Sequence, residues 1–451
     1  MPPLRLLNIN TLKIEDWDLI QEQLLGEYLQ DPGRHEAKLS QKERKRLVKR
    51  IAIHLSAAGE YDEVLSKAKP RFDIPYICLS HVWYDRGRPI KHEVLLEDMK
   101  DQSWRQQKCK GAQKIARLCE TVRDWCGTDR CIAALPKAGI EVPEGSNGQQ
   151  FVSHVWIDTC CVDQQNPAEV SMSVNSMFRW YSQAVCCFVY LHDHTPKDTR
   201  RSMLSMNRCE WFQRGWTLQE LIASPEVEFF SADWRPVGRK SDLYVAKRLG
   251  QITGIEVNVV LDPSEIQKSK LSLRFPWAAG RITRFEEDCA YSLLGIFNVQ
   301  MSTLYGEGED SAFRRLQEEI IKYSNDHSIF AWHNSDADPT AQVGLLAPSA
   351  NCFQTFYTYR RAPQSSPRPY ATTNKGLEIE LFLLQDHGQT PDVWVASLDC
   401  EHDEKHVVGI YLLCISQEGN EYCRIRSNEL TKVDRDWRGV SKRIFVRQIT
   451  I

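Results

Sequence analysis

What most restricts the fold is a series of short apolar runs that finish in polar residues: IPYICLSHVW, FVSHVWIDTCCVD, AVCCFVYL and VEFFSADW. A strand buried on both faces reads as a continuous apolar run rather than as an alternation. Helical text separates the four runs, so residues 76 to about 235 predict an α/β fold, a parallel sheet flanked by helices. Such sheets bind ligands beyond the carboxyl ends of their strands.

Two helices carry the argument further. Asn166 is placed to cap the first, with Pro167 at its opening position and Glu169 at the capping-box position. Its apolar stripe is Val170, Val174, Met177 and Tyr181. A second helix is expected from about Trp211 to Ala223, with Leu218, Leu221 and Ile222 facing the core. Glu220 then points away from the core, beside Trp216 four residues back. The Gly- and Pro-rich stretch KAGIEVPEGSNGQQ reads as a surface loop between the first two strands.

Around this unit the text changes. Residues 1–74 hold a strand-like LRLLNI and then a charged helical layer with Leu47, Ile51 and Leu55 at helical spacing. Residues 236–335 read as a helical extension, with one stripe of Ala290, Leu293, Leu294 and Phe297 and another of Phe313, Leu316 and Ile320. After the polar linker RRAPQSSPRPY, the runs LEIELFLL, VWVASLDC, VVGIYLLCI and KRIFVRQI make 336–451 a β-rich, antiparallel module.

Composition narrows the partners. A formal charge of −3, from 57 basic and 60 acidic side chains, supplies no field to draw in nucleic acid or an anionic membrane. The amino terminus lacks the apolar core of a signal peptide, and no apolar run is long enough to span a bilayer, so a cytoplasmic location is expected. The 15 cysteines are an odd number without a C-x-x-C pair, which suits reduced core thiols better than a disulfide framework or structural zinc.

Candidate site residues gather where the apolar runs end: Ser80, His81 and Asp85 after the first, Asp158 and Asp163 after the second. The two aspartates also suit loop and helix capping. A Ser-His-Asp hydrolase is excluded, because adjacent Ser80 and His81 on an extended chain face opposite sides, and no G-x-S-x-G elbow exists. YGEGED carries too many acids to cradle a phosphate and reads as a turn before a helix. His192 with His194, and His402 with His406, read as loop and turn residues.

SHVWYD, WIDTCCVDQ and RGWTLQEL, in that order, resemble the three motifs of the heterokaryon-incompatibility (HET) domain of filamentous fungi. NSMFRWYSQAVCCFVYL and CAYSLLGIFNVQMSTLYGEGED extend the likeness over 75–335. HET domains are in turn similar to Toll/interleukin receptor (TIR) domains, which implies a flavodoxin-like sheet over 75–235. Some TIR domains cleave NAD+ at the nicotinamide–ribose bond with a glutamate that matches Glu220. The resemblance therefore implies an NAD+ glycohydrolase acting in non-self recognition and programmed cell death, with NAD+ as substrate and no permanently bound cofactor. It also implies activation by self-association, with an upstream sensor as a further partner. Ser80, His81, Trp83, Asp85, Asp158, Asp163, Arg214 and Trp216 are the expected substrate contacts; Arg214 would keep Glu220 ionised, and Trp83 or Trp216 would stack on a ring of the dinucleotide. Tyr84 departs from the family's glycine and narrows the expected cleft. The competing implication is a non-enzymatic adaptor that acts through homotypic assembly.

Overall fold

The four apolar runs form the centre of one sheet. The computed structural model describes residues 1–30, 74–83, 93–102, 104, 109–138, 152–195, 205–353, 360–361, 369–385, 392–436 and 439–448. The expected helical stripe of Leu47, Ile51 and Leu55, residues Tyr84 and Asp85, most of the 137–150 loop and most of the 360–370 linker lie outside them.

From the amino terminus the elements are β1 (Arg5–Asn8), β2 (Lys13–Asp16), α1 (Trp17–Gln30), β3 (Tyr76–His81), α2 (Lys110–Trp125), β4 (His154–Trp156), α3 (Pro167–Gln183), β5 (Cys186–Tyr190), α4 (Thr217–Ala223), β6 (Val227–Phe230), β7 (Pro236–Arg239) and α5 (Leu243–Thr253). The sheet order is β2-β1-β4-β3-β5-β6-β7. Strands β4, β3, β5 and β6 are parallel, as expected. The sheet is nevertheless mixed, because β1 and β7 close its two sides antiparallel. LRLLNI thus belongs to the sheet: Leu6 and Leu7 are fully buried, and Leu7 lies opposite Val155. The chain crosses from β3 to β4 on one side and then back from β4 to β5 on the other, so strand order reverses at the carboxyl end of β3, the usual ligand position of such sheets.

Local chemistry explains the element ends. FVSHVWIDTCCVD supplies only three strand residues before the chain enters the helical turn Asp158–Cys161, so Cys160 and Cys161 lie on that turn and not on a strand. Asn166 caps α3 by accepting the N–H groups of Ala168 and Glu169 at 3.1 and 3.3 Å. Glu169 does not complete a capping box; it accepts from Arg5 at 2.6 Å and from the Asp163 N–H at 2.8 Å. Val174, Met177 and Tyr181 are buried as the stripe predicts, Trp180 joins them, and Val170 is half-exposed. Trp156 meets Trp180 and Tyr181 edge-on at 5.4 and 5.6 Å, tying β4 to α3 with the preferred aromatic geometry. All fifteen cysteines are free thiols. Among the described residues no helix is long and apolar enough to cross a membrane.

By contacts the chain divides into two units: Met1–Phe212, Glu220–Ile252 and Val260–Pro263 form the first, and Gln213–Gln219, Thr253–Val259 and Ser264–Ile451 the second. The second contains α6 (Glu309–Ile321) and several shorter helical turns. The stripe Ala290, Leu293, Leu294, Phe297 is buried, but over two short helices, Asp288–Tyr291 and Leu294–Phe297, and not one. Phe275 gathers Phe297, Phe313 and Phe353 around it at 4.4–5.6 Å between ring centres.

The β-rich module holds β8 (Arg360–Arg361), β9 (Ala371–Thr373), β10 (Gly376–Gln385), β11 (Val393–Glu401), β12 (His406–Cys414), β13 (Glu421–Ile425), β14 (Thr431–Asp434) and β15 (Val440–Val446). Strand β10 pairs with β11, β11 with β12, β12 with β13, β13 with β15 and β15 with β10, which closes a ring of five. An odd ring cannot alternate direction throughout, so one pair must be parallel; it is β13 with β15. Closure removes the exposed strand edges that invite aggregation. Leu377, Ile379, Leu381 and Leu383 alternate along β10 into the interior.

Arg424 on β13 is 0% exposed. Its guanidinium stacks 4.0 Å over Trp332 and donates to the Phe330 carbonyl at 3.0 Å and to the Trp332 carbonyl. Arg424→Met deletes both bonds and the stacked charge, and should lower the unfolding free energy by roughly 2–4 kcal/mol in urea titration. Arg424→Lys should recover less than half of it, because one ammonium cannot match the planar fork.

Candidate functional site at the carboxyl end of β3

Strand β3 is buried along its whole length, so its alternation directs every side chain into packed protein. Ser80 and His81 leave from opposite faces, and each starts a separate polar chain.

The Ser80 chain contains Glu220. Ser80 is 1% exposed; its hydroxyl accepts from the Trp211 indole N–H at 2.7 Å and donates to Oε2 of Glu220. Glu220 lies on α4 and is itself only 5% exposed. Burial first, and the Glu220 charge second, push the Cys78 thiol and the Tyr181 phenol well above their usual ranges. Both stay neutral, and Glu220 sits among weakly polar walls.

The expected helix from Trp211 to Ala223 is broken. A 3-10 turn covers Glu210–Gln213, and α4 begins only at Thr217. Between them the chain runs beside residues 281–283, with the Gly215 N–H bonded to the Ile282 carbonyl at 3.0 Å. A Cβ on Gly215 would meet Thr283 Cγ2 at 2.5 Å, so this approach needs glycine. The break resets the helical phase. Leu218, Leu221 and Ile222 are buried as expected, but the indole joined to Glu220 through Ser80 is Trp211. Trp216 hydrogen-bonds Asp288, and Arg214 also exerts its charge on Asp288.

The His81 chain was only half legible. His81 Nε2 lies 3.1 Å from Oδ1 of Asp158, and the Trp83 indole donates to Oδ2 at 2.9 Å. Behind them Lys114 Nζ lies 2.7 Å from His81 Nδ1 and bonds both oxygens of Glu93 at 2.9 and 2.7 Å. Burial first lowers the Lys114 pKa, against the pull of Glu93. Burial first raises Asp158, but the His81 bond and charge, the Trp83 bond and Lys114 outweigh it and leave its pKa lowered. Lys114 and Glu93 were absent from the sequence reading. The clue was Lys114 itself, which lies on the apolar face of α2 with Ala112, Ile115 and Leu118.

Asp163 accepts the Gln165 N–H at 3.0 Å and acts on the Arg5 charge, so it caps its own turn, as the alternative reading allowed. His192 lies 3.8 Å from Glu210, and the Asp193 carboxylate accepts the Glu210 N–H. In the YGEGED turn the N–H groups of Gly306 and Gly308 do hold an anion, the chain's own Glu287, at 2.7 and 3.0 Å. Among the described residues no group of three His, Cys, Asp or Glu side chains could hold a metal ion.

Ser80→Ala deprives Trp211 and Glu220 of a shared partner and should cost roughly 1–3 kcal/mol; combined with Trp211→Phe, the loss should be smaller than the sum of the two. Strict additivity in urea unfolding would separate the pair. For Asp288, burial is the largest cause of a pKa raised to about 6, against roughly 3.9 when unfolded. The folded state thus binds the extra proton between pH 4 and 6, and this contribution to stability is present below pH 4 and lost as pH rises through 6. Asp288→Asn should therefore gain on wild type by up to about 3 kcal/mol between pH 4 and 7; a difference that is flat with pH would contradict the assignment.

Comparison with known proteins finds family matches over two parts of the chain. The family described as "Heterokaryon incompatibility protein (HET)" matches residues 76–210, and a domain of unknown function (DUF8212) matches residues 311–375. The "Vegetative incompatibility protein HET-E-1" of Podospora anserina is 37% identical over 254 residues, which are 55% of this chain and 16% of that protein. No solved structure matches. The matched segment holds β3, β4 and β5 and the start of both polar chains, so residues 76–210 of this chain are a heterokaryon-incompatibility (HET) domain.

Proposed function

We propose that this protein is an effector of heterokaryon incompatibility whose parallel-sheet unit cleaves NAD+ at the nicotinamide–ribose bond, with Glu220 as the catalytic carboxylate. The observation that carries the reading is the placement of Glu220: a buried acid joined through Ser80 to the carboxyl end of the central strand, where strand order reverses. The name of the Podospora relative supports the incompatibility role. The likeness of GWTLQEL to the TIR glutamate helix, together with the parallel order β4-β3-β5-β6, supports the chemistry.

Cleavage breaks the bond from ribose C1′ to the nicotinamide nitrogen. The bonding pair leaves with nicotinamide, which departs neutral, and the positive charge passes to an oxocarbenium-like ribose. Water then adds to C1′ and releases a proton, giving ADP-ribose. A carboxylate fixed beside that centre stabilises the charge as it develops, and Ser80 holds it on one side without neutralising it. Self-association would switch the unit on, and loss of NAD+ would cause cell death.

The burial of Glu220 also favours a second reading. A carboxylate tied to Ser80 braces α4 against β3 in a non-enzymatic adaptor that works by homotypic assembly.

The test is NAD+ consumption by wild type and by Glu220→Gln at high protein concentration, with nicotinamide and ADP-ribose separated chromatographically. We expect turnover by wild type and a loss of at least about 100-fold in the variant, with an unchanged melting profile. Equal rates would remove Glu220 from the mechanism, and an inactive clustered wild type would leave the adaptor.

A further inference from the structure

The His81 chain, on the face of β3 opposite Ser80, contains a buried ion pair that the proposed cleavage does not use. Lys114 and Glu93 side chains are 2% and 1% exposed. A pair this deep costs about as much in desolvation as its attraction returns, and a hydrophobic pair of equal volume would serve stability as well. Direction is what the charges add.

We propose that Lys114 is a positioning residue: held by Glu93, its ammonium fixes which nitrogen of His81 carries the ring proton and so presents Asp158 as an oriented anion to a ligand. An ammonium donating at 2.7 Å requires a lone pair on His81 Nδ1. The ring proton then belongs on Nε2, the nitrogen 3.1 Å from Asp158 Oδ1. Trp83 donates to the other oxygen at 2.9 Å. With one donor on each oxygen among the described residues, the carboxylate plane is set. The Asp158 side chain is 21% exposed, whereas the His81 side chain behind it is 1% exposed. The chain thus leads from a sealed cation to a partly exposed anion. Cys160, which also acts on Lys114, is held as a thiol by a hydrogen bond to Cys161 and by burial.

Such an anion accepts from hydroxyl-bearing ligands. That the ligand is the ribose of a dinucleotide rests on the proposed function, whereas the tautomer and the carboxylate orientation do not.

The experiment uses the full chain labelled with nitrogen-15 at histidine and tryptophan, and compares wild type with the double variant Glu93→Leu/Lys114→Met, in which neither charge is stranded. In wild type, His81 should show a protonated Nε2 and a bare Nδ1, and the Trp83 indole proton should lie downfield. In the double variant that indole proton should move upfield, and NAD+ affinity by calorimetry should fall roughly 10- to 100-fold while the protein still melts cooperatively. A proton on His81 Nδ1 in wild type overturns the proposal, and that measurement needs no variant. An unchanged indole resonance in a folded double variant overturns it too. If wild type neither binds nor cleaves NAD+, the dinucleotide reading falls and the two resonances still decide the positioning role.

Discussion

The parallel-sheet unit depends on one constraint, the alternation of a strand that has no exposed face. Because β3 is buried throughout, Ser80 and His81 cannot turn towards water, and each must find polar partners inside the protein. Ser80 finds Trp211 and Glu220, and His81 finds Lys114 and Asp158. Two chains of opposite character therefore emerge from neighbouring residues. One ends in a buried carboxylate among neutral walls, the other in a carboxylate that a buried cation helps to keep ionised.

The cost of burying these groups gives the arrangement its rigidity. A polar atom without a partner in such surroundings is costly, so small displacements are penalised steeply. The second unit applies the same rule to a different shape. Its ring of five strands must contain one parallel pair, and the buried Arg424 on β13 of that pair satisfies the carbonyls of Phe330 and Trp332.

Much of this was legible in the residues. The four apolar runs marked the four parallel strands, Asn166 marked the start of α3, and the adjacency of Ser80 and His81 already separated their partners. Other features depended on distance in sequence. Glu169 looked like half of a capping box, but Arg5, 164 residues away, claims its carboxylate. Trp216 looked like the neighbour of Glu220 only if the chain stayed helical from 211 to 223. Pairing of 213–215 with 281–283 breaks that helix and substitutes Trp211. Lys114 and Glu93, 21 residues apart, carried one local sign between them, a lysine on an apolar helix face.

The sequence by itself determined the four parallel strands, the start of α3 and most of its buried stripe, because the periodicity of apolar side chains acts over a few residues and needs no partner. Only the tertiary structure decided which polar groups meet: a buried hydrogen bond is a property of two residues, and here their separation along the chain runs from 21 residues for Lys114 and Glu93 to 164 for Arg5 and Glu169.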